Sequence, residues 1–242
     1  MKIVGVIPSR LGSTRLPRKP LAKIAGKAMV ERVYEGAKGF GGWESLVVAT
    51  DAEEILAFCR SRGIDAEMTS SSHVSGTDRI REVASRRAGN VYVNVQGDEP
   101  MVTAAHIEAL VRPFLAGPGV SVTTLALALP PAEAENPNTV KVVARKDGRA
   151  LYFSRSAIPF DRDGAGVRYW KHLGFYAYRK EMLDAFSSFS PSPLETAERL
   201  EQLRFLENGI DIHVAESPAD TWSVDTAEDL ARVEKYFQKL SS

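Results

Sequence analysis

The sequence contains one cysteine, carries no net charge and has no apolar segment of membrane-spanning length. Cys59 stands alone among 242 residues, which excludes an intramolecular disulfide and a zinc ribbon. Lys plus Arg number 31 and Asp plus Glu number 31, so neither a nucleic acid nor a membrane surface is indicated as a partner. Since the sequence also shows no signal peptide pattern, we expect a cytoplasmic protein without membrane insertion.

Two common glycine-rich nucleotide motifs are also missing. No G-x-G-x-x-G follows the first apolar run, and no G-x-x-x-x-G-K-[ST] occurs anywhere. These absences argue against a dinucleotide-dependent dehydrogenase and against a P-loop NTPase.

The chain begins with a short apolar run, Ile3 to Ile7, followed by a basic loop over residues 8–20. The run predicts one buried strand, and the loop then brings together four cations and three hydroxyl side chains. Such a loop can present backbone N–H groups and positive charge to a phosphate. Its candidate phosphate ligands are Arg10, Ser13, Arg15 and Lys19. The alternative is a solvated surface loop.

Strands and helices alternate through the first half of the chain. Leu46 to Ala49 and Val91 to Val95 read as buried strands, with helical patterns before and after each of them. This alternation predicts an α/β fold with a mostly parallel sheet covered on both faces. At about residues 130–190 the pattern changes to strands separated by turns, which predicts an antiparallel extension, with dimerisation as its possible role. We expect a single domain over residues 1–242.

Carboxylates follow two of the predicted elements. Asp98 comes directly after the strongest strand, where a hard cation such as Mg²⁺ could be shared with phosphate oxygens; a turn residue is the alternative. Asp225 precedes the last helix, so its pattern also fits an ordinary N-cap, which we slightly favour. Asp51 has the same pattern and is interpreted as a cap or a neighbour of a ribose.

Two further groups of polar residues are candidates for binding. The loop that contains Ser75, Gly76, Thr77 and Asp78 could read a base edge, or could simply cap a helix that begins after Thr77. A polar substrate pocket could include Gln96, Arg162, His172, Tyr176, Glu201 and Gln202. Each of these residues is a weak candidate by itself. Arg162 could be solvated, His172 could be structural, and Glu201 could be exposed on a helix that runs to about Glu207.

Taken in order, several motifs resemble those of the 3-deoxy-manno-octulosonate cytidylyltransferases (CMP-KDO synthetases). They are the basic loop, the segments 73–79, 93–100, 136–142, 150–155, 158–163, 172–176, 191–195 and 200–204, and the segment 224–230. The resemblance extends over essentially the whole chain. It implies a Rossmann-like nucleotidyltransferase fold with an antiparallel dimerisation extension, and Mg²⁺-dependent transfer of CMP from CTP to KDO for lipopolysaccharide synthesis. A homodimer is also implied.

The resemblance also implies a role for each candidate residue. Lys19, Asp98 and Asp225 would be catalytic, and the two aspartates would hold Mg²⁺. The triphosphate would be bound by Arg10, Ser13, Arg15 and Lys19, and the cytidine by residues 75–78. The sugar acid would be bound by Gln96, Arg162, His172, Tyr176, Glu201 and Gln202. A cytidylyltransferase for another ulosonic acid, such as amino-KDO or a sialic acid, and a catalytically silent nucleotide-binding regulator are the alternatives.

One departure from the family concerns the basic loop. Arg18 stands where the family usually has glycine, which adds a cation next to Lys19. The segment between Asp163 and His172 is also short, so the rim of the sugar site is expected to differ.

Overall fold

A computed structural model describes residues 1–12, 15–73, 75–117 and 119–241 of the chain. The residue contacts divide it into two compact units. The first comprises Met1–Ile107 and Thr221–Ser242, and the second Glu108–Asp220. Among the described residues, no helix is both long enough and apolar enough to span a membrane. The single domain predicted from the sequence stays a prediction.

The first unit is built from short strands and amphipathic helices. Its strands are β1 (Ile3–Ser9), β2 (Lys23–Ile24), β3 (Lys27–Ala28), β4 (Trp43–Thr50), β5 (Ala66–Met68) and β6 (Val91–Asn94). Its helices are α1 (Met29–Lys38), α2 (Glu53–Ser61), α3 (Gly76–Arg86) and, at the end of the chain, α8 (Ala227–Ser241). A 3-10 helix, Lys19–Leu21, forms the end of the basic loop.

The sheet of the first unit is parallel, in the order β6-β1-β4-β5. Consecutive residues are buried in β6 and in the second half of β4. Because successive side chains of a strand point to opposite faces, this burial means that both faces of the sheet are covered. The α/β prediction is therefore confirmed. Cys59 lies in the core on α2, where burial raises the pKa of its thiol to about 11, so it packs as an apolar side chain.

The second unit contains α4 (Ala104–Ala116) from Glu108 onward, then longer strands and short helices. Its strands are β7 (Val122–Leu129), β8 (Lys141–Ala144), β9 (Ala150–Ser154), β10 (Tyr169–Arg179) and β11 (Ile212–Glu216). Its helices are α5 (Lys180–Phe186), α6 (Pro193–Glu198) and α7 (Leu203–Glu207), with a 3-10 helix at Pro131–Glu133.

Antiparallel pairing dominates the second unit, as the turn-separated strands predict. β10 pairs antiparallel with β7 and β8, and β8 with β9, while β11 adds to β7 in parallel. A bulge interrupts β10, because Leu173 faces Leu125 and Tyr176 faces the adjacent Thr124. Two residues of β10 thus lie between positions that face adjacent residues of β7, so β10 is locally contracted.

The structure corrects two helix boundaries. Helix α3 begins at Gly76, and its N-cap is Ser75, whose Oγ accepts a hydrogen bond from the backbone N–H of Asp78 at 3.1 Å; a cap at Thr77 is wrong. The helix predicted from Ser192 to about Glu207 is instead two helices. Its first part, α6, has the predicted capping box but ends at Arg199, whose φ of 54° is left-handed.

Arg18 shows why a glycine would suit its position. Its φ of 57° and ψ of 30° are left-handed, a conformation that costs a non-glycine residue about 1–2 kcal/mol. Its guanidinium pairs with Glu54 of α2, but both side chains are exposed, and such pairs contribute about 0–1 kcal/mol.

We therefore expect Arg18→Gly to stabilise the protein by roughly 0.5–1 kcal/mol, since relief of strain exceeds the lost ion pair. Urea unfolding measures this change. Arg60→Gly, at a right-handed position within α2, serves as the control and should destabilise the protein. Equal destabilisation by both substitutions would contradict the strain argument.

Candidate active site

In the first unit, one ammonium group joins two carboxylates that lie far apart in the sequence. Lys19 Nζ donates to Asp98 Oδ2 at 2.7 Å and to Asp225 Oδ1 at 3.2 Å. Arg15 Nη2 also lies 3.0 Å from Asp225 Oδ1. The fold thus brings the three residues predicted to be catalytic into one cluster.

Local structure frees both carboxylates for this cluster. Asp98 follows β6. The preceding Gly97 allows this segment to lie close to the end of β1, because a Cβ at Gly97 would lie 2.3 Å from the carbonyl oxygen of Pro8. The cap of α8 is formed by Thr226, whose Oγ1 accepts from the backbone N–H of Asp229 at 3.2 Å. The N-cap interpretation of Asp225 is therefore wrong, and its carboxylate faces cations instead.

The electrostatics of the cluster keep Lys19 charged. Burial by itself lowers the pKa of Lys19, but attraction and hydrogen bonds from Asp98 and Asp225 outweigh it and raise the pKa above the ordinary value. The ammonium is therefore a permanent positive charge at neutral pH, as a residue that binds a triphosphate requires.

The donor set of the cluster fits Mg²⁺. Since one ammonium contacts both Asp98 and Asp225, the two carboxylates converge, and carboxylate oxygens are the ligands that Mg²⁺ prefers. Within the described ranges, no group of three or more His, Cys, Asp or Glu side chains could form a complete cage. Mg²⁺ commonly binds through one or two carboxylates and completes its shell with water and substrate phosphates.

The other residues of the basic loop are placed differently. Arg10 is exposed at the end of β1, and Arg15 is exposed apart from its contact with Asp225. Ser13 lies outside the described residues. Its predicted contact with a triphosphate stays a prediction, as do those of Arg10 and Arg15.

The first turn of α3 contains a buried cation that the sequence analysis missed. Arg79 is only 3 % exposed, and its guanidinium donates to Asp51 Oδ2 at 2.8 Å and to Thr69 Oγ1. Asp51 is therefore bound to Arg79 and does not cap α2, whose N-cap is Ala52. Ser75 Oγ caps α3 by accepting from the backbone N–H of Asp78, and it donates to Asp78 Oδ2 at 2.9 Å. The loop therefore does cap the helix, but from Ser75 and not from Thr77. Reading of a base by residues 75–78 stays a prediction.

In the second unit, the bulge of β10 brings His172 and Tyr176 together. His172 Nε2 lies 3.0 Å from both Tyr176 Oη and Thr124 Oγ1, and its ring forms a T-shaped contact with Phe153. Residues four apart on a regular strand would be roughly 13 Å apart, so the bulge creates this pair. Burial lowers the pKa of His172 to about 3 and raises that of Tyr176 well above 10.0. Both groups are neutral hydrogen-bonding partners at pH 7.

The lowered pKa of His172 predicts a specific loss of stability in acid. As pH falls below 6.5, the unfolded chain takes up a proton on this imidazole, while the folded chain does not until about pH 3. Relative to His172→Gln, the free energy of unfolding of the native protein should fall by up to about 1.4 kcal/mol per pH unit between those values. Urea unfolding at pH 7, 6 and 5 measures the difference. Parallel curves would show that His172 titrates normally in the fold.

The remaining candidates of the second unit occupy two loops. Arg162 is exposed in a loop wound around Asp161, whose carboxylate accepts from the backbone N–H groups of Ala165 and Gly166, both at 2.9 Å. Those hydrogen bonds lower the pKa of Asp161. Glu201 and Gln202 lie between α6 and α7, so the helix position inferred for Glu201 is wrong. Gln96, in the first unit, is partly buried just after β6.

The parallel α/β sheet, with a basic loop after β1 and Asp98 after β6, has an arrangement that fits a nucleotidyltransferase. The fold alone is shared with a solved structure described as a glucose-1-phosphate thymidylyltransferase from Bacillus anthracis, with a TM-score of 0.70 at 13% identity over 97% of this chain and 94% of that one. A CMP:2-keto-3-deoxy-manno-octonic acid synthetase solved with CTP is much more similar. Its TM-score is 0.96 at 43% identity, and the alignment covers 99% of this chain and all of that one.

Sequence comparison identifies the family. The profile of the cytidylyltransferases matches residues 4–212. A 3-deoxy-manno-octulosonate cytidylyltransferase of Acidobacterium capsulatum is 55% identical over 97% of this chain and 96% of its own length. The corresponding enzyme of Koribacter versatilis is 53% identical over 97% of this chain and 90% of its own length. The chain belongs to the 3-deoxy-manno-octulosonate cytidylyltransferases, a family of nucleotidyltransferases.

Proposed function

We propose that the protein transfers CMP from CTP to 3-deoxy-D-manno-octulosonate and releases pyrophosphate. The observation that carries this proposal is the Lys19–Asp98–Asp225 cluster at the strand ends of a chain that belongs to this family. In the reaction, the anomeric hydroxyl of the sugar acid attacks the α-phosphorus of CTP, and pyrophosphate leaves in line. Such transfer requires positioning and charge neutralisation more than covalent assistance.

In the first unit, the cations of the basic loop would bind the nucleotide. Lys19, with Arg10 and Arg15, would hold the triphosphate and stabilise the negative charge that develops on the departing pyrophosphate. Ser13 would add a hydroxyl, and residues 75–78 would hold the cytidine. Gly97 lets the end of β6 pack against the start of the basic loop, since a side chain there would collide with the backbone carbonyl of Pro8.

Asp98 and Asp225 would hold Mg²⁺, for which their donor set is suited. Bound there, Mg²⁺ would supply electrostatic activation of the α-phosphate. The aspartates by themselves keep Lys19 charged and oriented, as its raised pKa indicates.

In the second unit, neutral hydrogen-bond donors and acceptors would bind the sugar acid. His172 and Tyr176 are held against each other, and neither changes charge near pH 7. They would therefore orient hydroxyl groups of the sugar acid without transferring protons. Arg162 would bind the sugar carboxylate, together with Glu201 and Gln202. A cytoplasmic homodimer that serves lipopolysaccharide synthesis completes the proposal, and the exposed Phe160 and Leu151 of the extension are consistent with a dimer contact.

A pyrophosphate-release assay tests this function. CTP and UTP are each combined with KDO, amino-KDO and sialic acid in the presence of Mg²⁺, and CTP with KDO should react much faster than any other combination. If amino-KDO or sialic acid reacts faster than KDO, that acid and not KDO is the acceptor. CTP binding without pyrophosphate release from any acid would indicate a silent regulator.

A further inference from the structure

The segment of residues 199–202, here called the α6–α7 corner, contains a buried polar group without a partner. Gln202 is only 7 % exposed, yet its Nε2 has no hydrogen-bond partner among the residues that the structure describes. A buried amide N–H group without a partner costs roughly 1–3 kcal/mol, so such groups are rare and call for an explanation. A bound ligand that accepts the hydrogen bond is one explanation.

Glu198 attaches the corner to the end of β9. Its Oε1 accepts from Ser154 Oγ at 2.6 Å, and its Oε2 accepts from the backbone N–H of Arg155 at 2.9 Å. Arg155 Nε in turn donates to the backbone carbonyl of Glu198 at 2.8 Å. Three hydrogen bonds thus fix the residue that immediately precedes the corner.

A second attachment links the two helices that flank the corner. Arg204 of α7 forms a two-pronged ion pair with Glu195 of α6, with N–O distances of 2.7 and 2.5 Å. Their side chains are 15 % and 12 % exposed, so the pair is largely withdrawn from water. Between the two attachments, Arg199 adopts its left-handed conformation. A bidentate pair restricts orientation as well as distance.

We propose that Glu198 and the Glu195–Arg204 pair are positioning residues for the sugar acid. They hold the α6–α7 corner so that Gln202 Nε2 stays buried and available to donate a hydrogen bond. An oxygen of the sugar acid accepts that hydrogen bond when it binds. This inference rests on the proposed function, which places Gln202 among the sugar-binding residues. It adds three residues that touch no substrate and act through Gln202. A corner without these attachments would let the amide rotate to water or to a backbone carbonyl.

The test is a double-mutant cycle between Glu198 and Gln202. Glu198→Ala should raise the KM for the sugar acid roughly 10- to 100-fold and leave the KM for CTP within about twofold. Gln202→Ala should have a similar effect. In a Gln202→Ala background, Glu198→Ala should add less than about threefold, because the residue through which it acts is gone.

Two further variants separate positioning from folding. Ile212→Val, at a buried position of β11 outside the corner, lowers stability and should leave both KM values unchanged. Glu198→Gln keeps the size of the side chain and one acceptor oxygen, so it should raise the sugar-acid KM by only about threefold. This variant is the one to use if Glu198→Ala fails to fold. The thermal shift produced by the sugar acid, with a non-reactive CTP analogue present, should decrease in parallel as a readout independent of turnover.

Additive effects in the cycle, or a lower melting temperature with an unchanged sugar-acid KM, would overturn the proposal. Failure of the proposed function has a different signature, since the native protein itself would then show no reaction of KDO with CTP. If another ulosonic acid is the acceptor, the same cycle is measured with that acid.

Discussion

Asp98→Asn should lower kcat by roughly 1,000-fold while leaving the protein folded and able to bind CTP. The substitution preserves the size of the side chain and removes one negative charge beside Lys19 Nζ, which lies 2.7 Å from Asp98 Oδ2. An amide is a poor ligand for Mg²⁺ compared with a carboxylate, so charge neutralisation at the reacting phosphate is lost. CTP binding should persist or strengthen, because the triphosphate no longer faces this carboxylate.

The measurements are pyrophosphate release at saturating substrates and CTP binding by calorimetry. Glu35→Gln is the matched control, because Glu35 accepts from Lys27 Nζ at the same distance of 2.7 Å but is exposed on α1. It should leave kcat unchanged. If Asp98→Asn retains near-native turnover in Mg²⁺, Asp98 does not hold the metal.

Lys19→Met should weaken CTP binding roughly 10- to 100-fold. This is the loss expected when one charge-assisted hydrogen bond, which contributes about 1.5–3 kcal/mol, is removed. The Lys19 side chain is 16% exposed, and methionine fills a similar volume without the charge. The fall in kcat/KM for CTP should be larger than the fall in affinity, since the ammonium also stabilises the leaving pyrophosphate. Lys19→Met and Asp98→Asn therefore differ in kind, because only the first should impair binding of the nucleotide.

CTP binding without Mg²⁺ isolates the contribution of the ammonium. Lys23→Met removes an exposed lysine from β2 nearby in the sequence and should bind CTP as the native protein does. Equal CTP affinity in Lys19→Met and Lys23→Met would exclude Lys19 from the triphosphate site.

The sequence alone supports the prediction of individual elements where the signal is local. Apolar runs identify β1, β4 and β6, and the Ser192–Glu195 capping box identifies the start of α6. The signal fails where a conformation depends on contacts elsewhere. The left-handed turn at Arg199 interrupts a continuous helical pattern, and Glu198 beside it is held by Ser154 and Arg155 from a separate segment of the chain.

The candidate site shows the same division. A carboxylate before a helix is an N-cap by its local pattern, and only the fold reveals that Thr226 caps α8 while Asp225 contacts Lys19. Arg79 gives no local signal at all, because Asp51 and Thr69 become its partners only when the strand ends meet. For Arg18, the sequence identifies a departure from the family pattern, and the left-handed φ supplies the reason that glycine is usual there.

The sequence by itself therefore determined the α/β class, the family and the residue types that the chemistry needs, because these depend on hydrophobic periodicity and on motifs along the chain. Only the tertiary structure decided which carboxylates share a cation, that His172 is neutral beside Tyr176, and that Gln202 Nε2 is buried with no hydrogen-bond partner in the part of the chain that the structure describes. Charge pairing and desolvation act across space, even between residues 206 positions apart in the chain, as Lys19 and Asp225 are.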